Sequence, residues 1–230
     1  MNFLETRTSV ARQPRPIAFF CALLMASLTA CKQGDGSGSF HGAAVDKFGD
    51  PNSEVLTVAS FNYTRSNIYD VYLSDNDSND IAAASLASGN QATPDNAQAW
   101  ALPAPTASVA WDYRWKLPKT MHIVWESIFD KAAYDGAHGY NAYNSKASQP
   151  GSAWCEYDVR IDQAPDKTKS NVLALNFYPD GTVSAAMQAG AASPLVDIKD
   201  RNSLRVLAAG HCLHEIANPK FGKGEPNFTE

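Results

Sequence analysis

The sequence is poor in the features that would assign it a reaction. No Gly-x-Ser-x-Gly nucleophile elbow occurs; "GDGSGS" at 34–39 only mimics one, in a glycine- and serine-rich stretch where no oxyanion hole can form. Phosphate-loop and dinucleotide-binding fingerprints are missing. The Lys and Arg residues, 19 against 24 Asp and Glu, form no cluster, which disfavours nucleic acid as a partner. Ile17 to Ala30 is uncharged but stops at Cys31, short of the roughly 20 apolar residues that a spanning helix needs. There is no internal repeat. Cysteine is scarce, with four in 230 residues, and each can be accounted for separately.

What is present begins at the N-terminus. Arg7, Arg12 and Arg15 stand against the single acid Glu5, and the apolar run "IAFFCALLMASLTA" follows, as in a secretory signal. Its end, Leu28-Thr29-Ala30-Cys31, resembles the bacterial lipobox. The resemblance implies cleavage before Cys31 and acylation of its thiol, palmitate included. One acyl chain binds membranes marginally, whereas two or more anchor stably. Lys32 stands where an Asp would retain a lipoprotein in the inner membrane, so the implied location is the outer membrane, facing the periplasm.

Removing residues 1–30 leaves 200 residues (230 − 30), enough for one domain with a core of its own. The formal charge of −5 becomes about −7, because the removed segment carries three Arg and one Glu. Cys21 leaves with the signal and Cys31 is acylated. Cys155 and Cys212 remain, and an oxidising compartment favours their pairing over two buried free thiols. Closing so long a loop stabilises a fold by about 4 kcal/mol on the chain-entropy account.

Residues 31–52 read as a flexible tether, 53–195 as a β-rich domain, and 196–230 as a C-terminal helix and tail. "VLTVASFNYT" and "NIYDVYLSD" are β-branched and aromatic, two strands with a turn at Thr64–Asn67. An alanine-rich connection can hold a short helix around Ile81–Ala87. "ASVAWDYRWKL", "MHIVWESIFD" and "WCEYDVRID" are further strands, with Trp111, Trp115 and Trp125 assigned to the core. "VLALNFYPDGTVSAAM" is a β-hairpin about a Pro-Asp-Gly turn. Leu204, Leu207 and Ala208, with Asp200–Ser203 as caps, predict a helix ending before Pro219. The fold class is mainly β, with α+β as the variant: a single antiparallel sheet or sandwich with a C-terminal helical appendage.

Two constellations invite chemistry. "HCLHE" brings His211, His214 and Glu215 together, but zincins need histidines four apart with Glu directly after the first; solvated histidines on a docked segment fit better, and a metal-dependent hydrolase is the weak alternative. "DNDSND" at 75–80 begins like a calcium loop, yet its sixth position is Asp80 and its twelfth Leu86, where Gly and Glu are needed. An acidic turn explains it. Residues 130–153 form a long Gly/Tyr/Asn/Ser loop, in which Tyr134, Tyr140 and Tyr143 have the composition of a protein-binding surface.

Phe61-Asn62-Tyr63-Thr64 and Phe177-Tyr178-Pro179-Asp180-Gly181, together with the lipobox, resemble an uncharacterised proteobacterial lipoprotein family over residues 55–190. Members are commonly encoded beside type VI secretion phospholipase effectors and look like their cognate immunity proteins. This chain differs from many members in lacking a cysteine pair in the middle strands and in its extended tail after residue 195. The resemblance implies a partner, the cognate phospholipase or lipase effector, bound and neutralised in the periplasm. It implies no catalysis and no cofactor. A general envelope lipoprotein that binds a small ligand or supports an assembly is the other reading.

Overall fold

The computed structural model describes residues 50–75, 81, 84–87, 89–102 and 107–224. The signal segment, Cys31, the tether up to residue 49 and Asn76–Asp80 of the acidic turn lie outside them.

Among the described residues, nine strands make two sheets: β1 (Ser53–Asn62), β2 (Asn67–Ser74), β3 (Ser85–Ala87), β4 (Ala107–Asp112), β5 (Lys119–Ile128), β6 (Ser152–Ile161), β7 (Asn171–Phe177), β8 (Val183–Ala189) and β9 (Glu215–Ile216). Sheet A runs β4-β1-β7-β8 and sheet B runs β3-β2-β5-β6-β9. All pairings are antiparallel except β1 with β7, whose parallel register sets Phe61 opposite Asn176 and Asn62 opposite Phe177. The turn at Thr64–Asn67 therefore passes the chain between sheets, and so does the connection from β4 to β5.

Alternation decides which side chains meet between the sheets. Leu56 and Val58 of β1, Leu173, Leu175 and Phe177 of β7, and Met121, Ile123 and Trp125 of β5 point inward and pack as one core. Trp111 and Trp125 lie in it as expected. Trp115 stands beyond β4, half-buried, edge-to-face with Trp111 at 5.2 Å.

Parts of the outward faces are buried as well, and β7 shows no exposed residue. On sheet A, Phe61, Tyr63 and Ala174 pack with Trp100, and Val196, Ile198 and Leu204 close over them. On sheet B, Val124, Glu126 and Trp154 lie beneath the loop between β5 and β6 and the C-terminal tail. That loop contains a short helix, α1 (Lys131–Asp135), capped by the Asp130 carboxylate.

The Phe-Tyr-Pro-Asp-Gly hairpin forms as read. Tyr178 N–H bonds Thr182 O at 2.9 Å, Gly181 N–H bonds Tyr178 O at 3.0 Å, and Asp180 accepts from the Thr182 amide and hydroxyl. Gly181 has φ +80°, and a Cβ there would lie 2.8 Å from the Leu213 nitrogen. Two independent reasons thus require glycine in this turn.

Two helical expectations are corrected. The alanine-rich stretch around Ile81–Ala87 ends in β3, because pairing Ser85, Leu86 and Ala87 with β2 outweighs alanine's helix preference. The C-terminal helix is absent among the described residues. A 3-10 helix at Ile198–Ser203, capped by Asp197, stops where Leu204 turns extended; the chain then bends through Gly210 (φ +82°) into β9 beside β6. A continuous helix over 200–218 would withdraw Leu204 from Tyr63 and Trp100 and Glu215 from Cys155, so tertiary contacts decide against local periodicity.

Leu175 is fully buried at the centre of the core. Leu175→Ala is expected to destabilise the domain by about 2–5 kcal/mol, seen in urea unfolding as a lower midpoint at unchanged m-value.

Candidate functional site

Residues 190–224 form a strap around the sandwich. It crosses the outer face of sheet A, passes over the end where β1, β5 and β7 finish, and continues onto the outer face of sheet B. Arg201 fixes its first part. The guanidinium donates to Thr93 O at 2.6 Å and Pro94 O at 3.2 Å and lies 5.4 Å from the Trp100 ring centre, while Trp100 Nε1 donates to Val196 O at 2.6 Å. Tyr63 locks the strap from beneath: its hydroxyl donates to Asn176 Oδ1 at 2.9 Å and accepts from Leu195 N–H at 2.8 Å.

Over the sandwich end, Leu207 N–H bonds Pro179 O at 2.9 Å. His211 then stacks flat on Phe129 at 3.5 Å. Cys212 is joined to Cys155 of β6, the pairing expected from the sequence. His214 O accepts from Glu156 N–H at 3.0 Å, which extends the ladder of β9.

On sheet B, Asn218 holds the tail to the tyrosine loop. Its side-chain nitrogen lies within 3.0 Å of the Tyr140 hydroxyl, Ala142 O and Ser145 O, and its backbone N–H bonds Lys146 O. Gly222 N–H bonds Tyr143 O at 2.9 Å. Lys220 meets Asp70 at 2.5 Å and lies over the Trp154 ring. Asp70 sits at the register shift of β2 with φ +46°, a left-handed conformation rare outside glycine, and this turns its carboxylate toward Lys220.

Beneath this cover lies Glu126, 4% exposed, which accepts from the Ser152 hydroxyl at 2.6 Å and from Tyr134 at 3.3 Å. Burial raises its pKa above the ordinary value, and the Asp70 carboxylate adds to this against the Ser152 bond and Lys220. Burial likewise raises Tyr72, helped first by Asp70, and Tyr134, helped first by Glu126.

The three tyrosines are bonded within the chain at separate points, Tyr134 through its hydroxyl to Glu126, Tyr140 through its hydroxyl to Ala147 O and Asn218, and Tyr143 through its backbone to Gly222; all three residues are half-buried. Each keeps part of its surface open to solvent. His211, His214 and Glu215 do not converge. The His211 ring stacks on Phe129, Glu215 accepts the backbone N–H of His211 at 3.0 Å, and no group of three His, Cys, Asp or Glu side chains fit for a metal occurs among the described residues. Sequence reading missed Glu126, Asn218 and Lys220. Only the even-numbered, outward position of Glu126 on a strand gave a signal, and it pointed to solvent.

Where the strap crosses the sandwich end it leaves a cleft of about 280 Å³. Ile68, Trp125 and Phe177, all nearly inaccessible, form its floor. The turn after β1 and the hairpin turn after β7 make one side, and Leu204 and Leu207 of the strap make the other. Three exposed apolar side chains belong to the segments around it, Val206 (68%), Leu213 (44%) and Phe129 (43%). Loops of both sheets gather at this end, as binding loops do on sandwich folds.

No family model, curated protein or solved structure matches the chain.

The raised Glu126 pKa has a definite consequence for stability. The folded state holds a proton that the unfolded chain releases, so this contribution is full below the ordinary value near 4.5 and is lost as pH rises through the folded pKa. Glu126→Gln cannot ionise, and its stability relative to wild type is expected to improve as pH rises above the ordinary value near 4.5, measured by urea unfolding from acid to neutral pH.

Proposed function

We propose that this chain is a periplasm-facing lipoprotein that binds and neutralises a lipolytic effector of type VI secretion, with the cleft end of the sandwich as its contact face. One observation carries the choice of face. Phe61–Thr64 and Phe177–Gly181, the two stretches on which the family resemblance rests, lie side by side on parallel neighbours β1 and β7, with Tyr63 N–H bonded to Phe177 O at 3.0 Å. Both run into the mouth of the cleft.

An inhibitor needs a complementary surface and no nucleophile. Apolar side chains on a cross-linked segment suit that role, because little conformational freedom is lost when a partner covers them. Acylation of Cys31 holds the domain at the membrane that a phospholipase attacks and raises its effective concentration there. The net negative chain speeds encounter with a basic partner surface. The tyrosine loop, fastened to the tail, serves this face by bracing the strap.

Co-expression with the neighbouring lipase directed to the periplasm tests the proposal. Wild type is expected to rescue growth and to inhibit the purified enzyme at about one-to-one stoichiometry, a single saturable face. Cys31→Ser is expected to protect less, and Val206→Asp with Leu213→Asp to weaken inhibition at least tenfold, about 1.4 kcal/mol, at unchanged stability. A wild type that neither rescues nor inhibits contradicts it.

A further inference from the structure

The cleft has an apolar floor and a one-signed rim. Trp125, Phe177 and Ile68 close it below, and Leu204 and Leu207 flank it. The ionisable side chains lining it, among the described residues, are Arg65, Arg201 and His211, with the hydroxyl of Tyr178 and the buried Tyr63 beside them; no carboxylate lines it, in a chain of net charge −5. Asp95 stands behind the two arginines, 2.7 Å from Arg65 and 3.4 Å from Arg201. Two guanidinium groups share this one carboxylate, and the carboxylates nearest the rest of the lining, Asp180 on the Thr182 amide and hydroxyl and Glu215 on the His211 amide, stand outside it.

The two arginines differ in availability. Arg201 has a side chain only 9% exposed and is held by Thr93, Pro94 and Thr64 carbonyls, so it sets a fixed positive potential. Arg65 is 67% exposed and is bound to Asp95 at the surface, where an ion pair is weak and readily exchanged. An anion at the mouth can therefore take donors from Arg65 in place of Asp95. Thr64, Ser66 and Thr182 line the same mouth, but their amides and the two threonine hydroxyls donate within the chain, to Asn62, Thr64 and Asp180, so Arg65 is the exchangeable donor. The volume, about 280 Å³, is at the small end for ligand pockets and suits one narrow chain.

We propose that this cleft binds a single-chain anionic amphiphile, its hydrocarbon on the Ile68–Trp125–Phe177 floor and its head group at Arg65. Carboxylate and phosphate heads share the required chemistry, negative charge on acceptor oxygens that a guanidinium meets bidentately. The binding does not depend on the effector reading, since it rests on the lining of the cleft alone.

The test uses the chain from residue 31 onward with Cys31→Ser, which carries neither the apolar run at 17–30 nor an acyl group. Decanoate, decyl phosphate, decyltrimethylammonium and decyl maltoside are titrated below their micelle concentrations, with calorimetry as the readout and intrinsic tryptophan fluorescence, to which Trp125 of the floor contributes, as support. At least one of the two anionic probes is expected to bind one-to-one, with the cationic and neutral probes at least tenfold weaker; the stronger anionic probe identifies the head group. Arg65→Glu is expected to weaken binding at least fivefold, and Leu207→Trp, which fills the cleft, to abolish it. Circular dichroism and the unfolding midpoint establish that each variant is folded. Arg65→Glu, on an exposed side chain, keeps the test decisive if Leu207→Trp does not fold. No saturable binding of either anionic probe, equal binding of the cationic or neutral probe, or full affinity in a folded Leu207→Trp overturns the proposal.

Discussion

The Cys155–Cys212 bond is the covalent point on which the arrangement of the C-terminal third depends. Cys155 lies in β6, in the core and fully buried, and its partner is 57 residues away in a stretch with almost no regular structure. Among the described residues of 204–214 there is no helix or strand whose hydrogen-bond ladder could hold the chain against the sandwich end. Side chains fix the strap elsewhere, with Arg201 before the bond and Asn218 and Lys220 after it. The disulfide joins these two anchorages by fixing the crossing between them, and the cleft exists because the crossing is held slightly away from the ends of β1, β5 and β7.

A second constraint explains why a strap is needed. Both sheets carry apolar or uncompensated groups on their outer faces, Phe61, Tyr63 and Ala174 on one and Val124, Trp154 and Glu126 on the other. A sandwich with one solvated face per sheet needs no such cover. Here one segment covers both. Covering the buried Glu126 is unfavourable by itself, and the Ser152 hydroxyl, Tyr134 and the nearby Lys220 offset it; loss of that set leaves a charge without partners in a place from which water is excluded.

Much of the β architecture was legible because it is written in local chemistry. Leu173, Leu175 and Phe177 alternate before a Pro-Asp-Gly turn whose glycine must adopt positive φ, and no distant contact is needed to read that hairpin. The cysteine pair followed from compartment and count. Sheet membership was not legible: strands joined by short connections at Thr64–Asn67 and at Pro118 belong to different sheets, and period-two patterning is the same in either case. The C-terminal helix failed because Leu204, Leu207 and Ala208 keep helical spacing while their contacts lie on separate surfaces. Composition singles out Tyr134, Tyr140 and Tyr143, but it does not give their contacts within the chain, such as those of Tyr134 with Glu126 and Tyr140 with Asn218. The cleft draws on residues from 63 to 211, a juxtaposition that only the fold supplies.

The account's central claim is that one cross-link holds the strap, and through it the cleft and the tyrosine loop, while the sandwich stands by its own core. Hydrogen exchange on wild type and on a Cys155→Ala, Cys212→Ala variant measures this directly. The account predicts that amides of 204–222 and of the 140–147 loop lose protection while those of β1, β5 and β7 keep theirs below the global unfolding limit, with total stability reduced by about 4 kcal/mol. Unchanged protection across 204–222, or simultaneous loss of protection throughout both sheets, would contradict it.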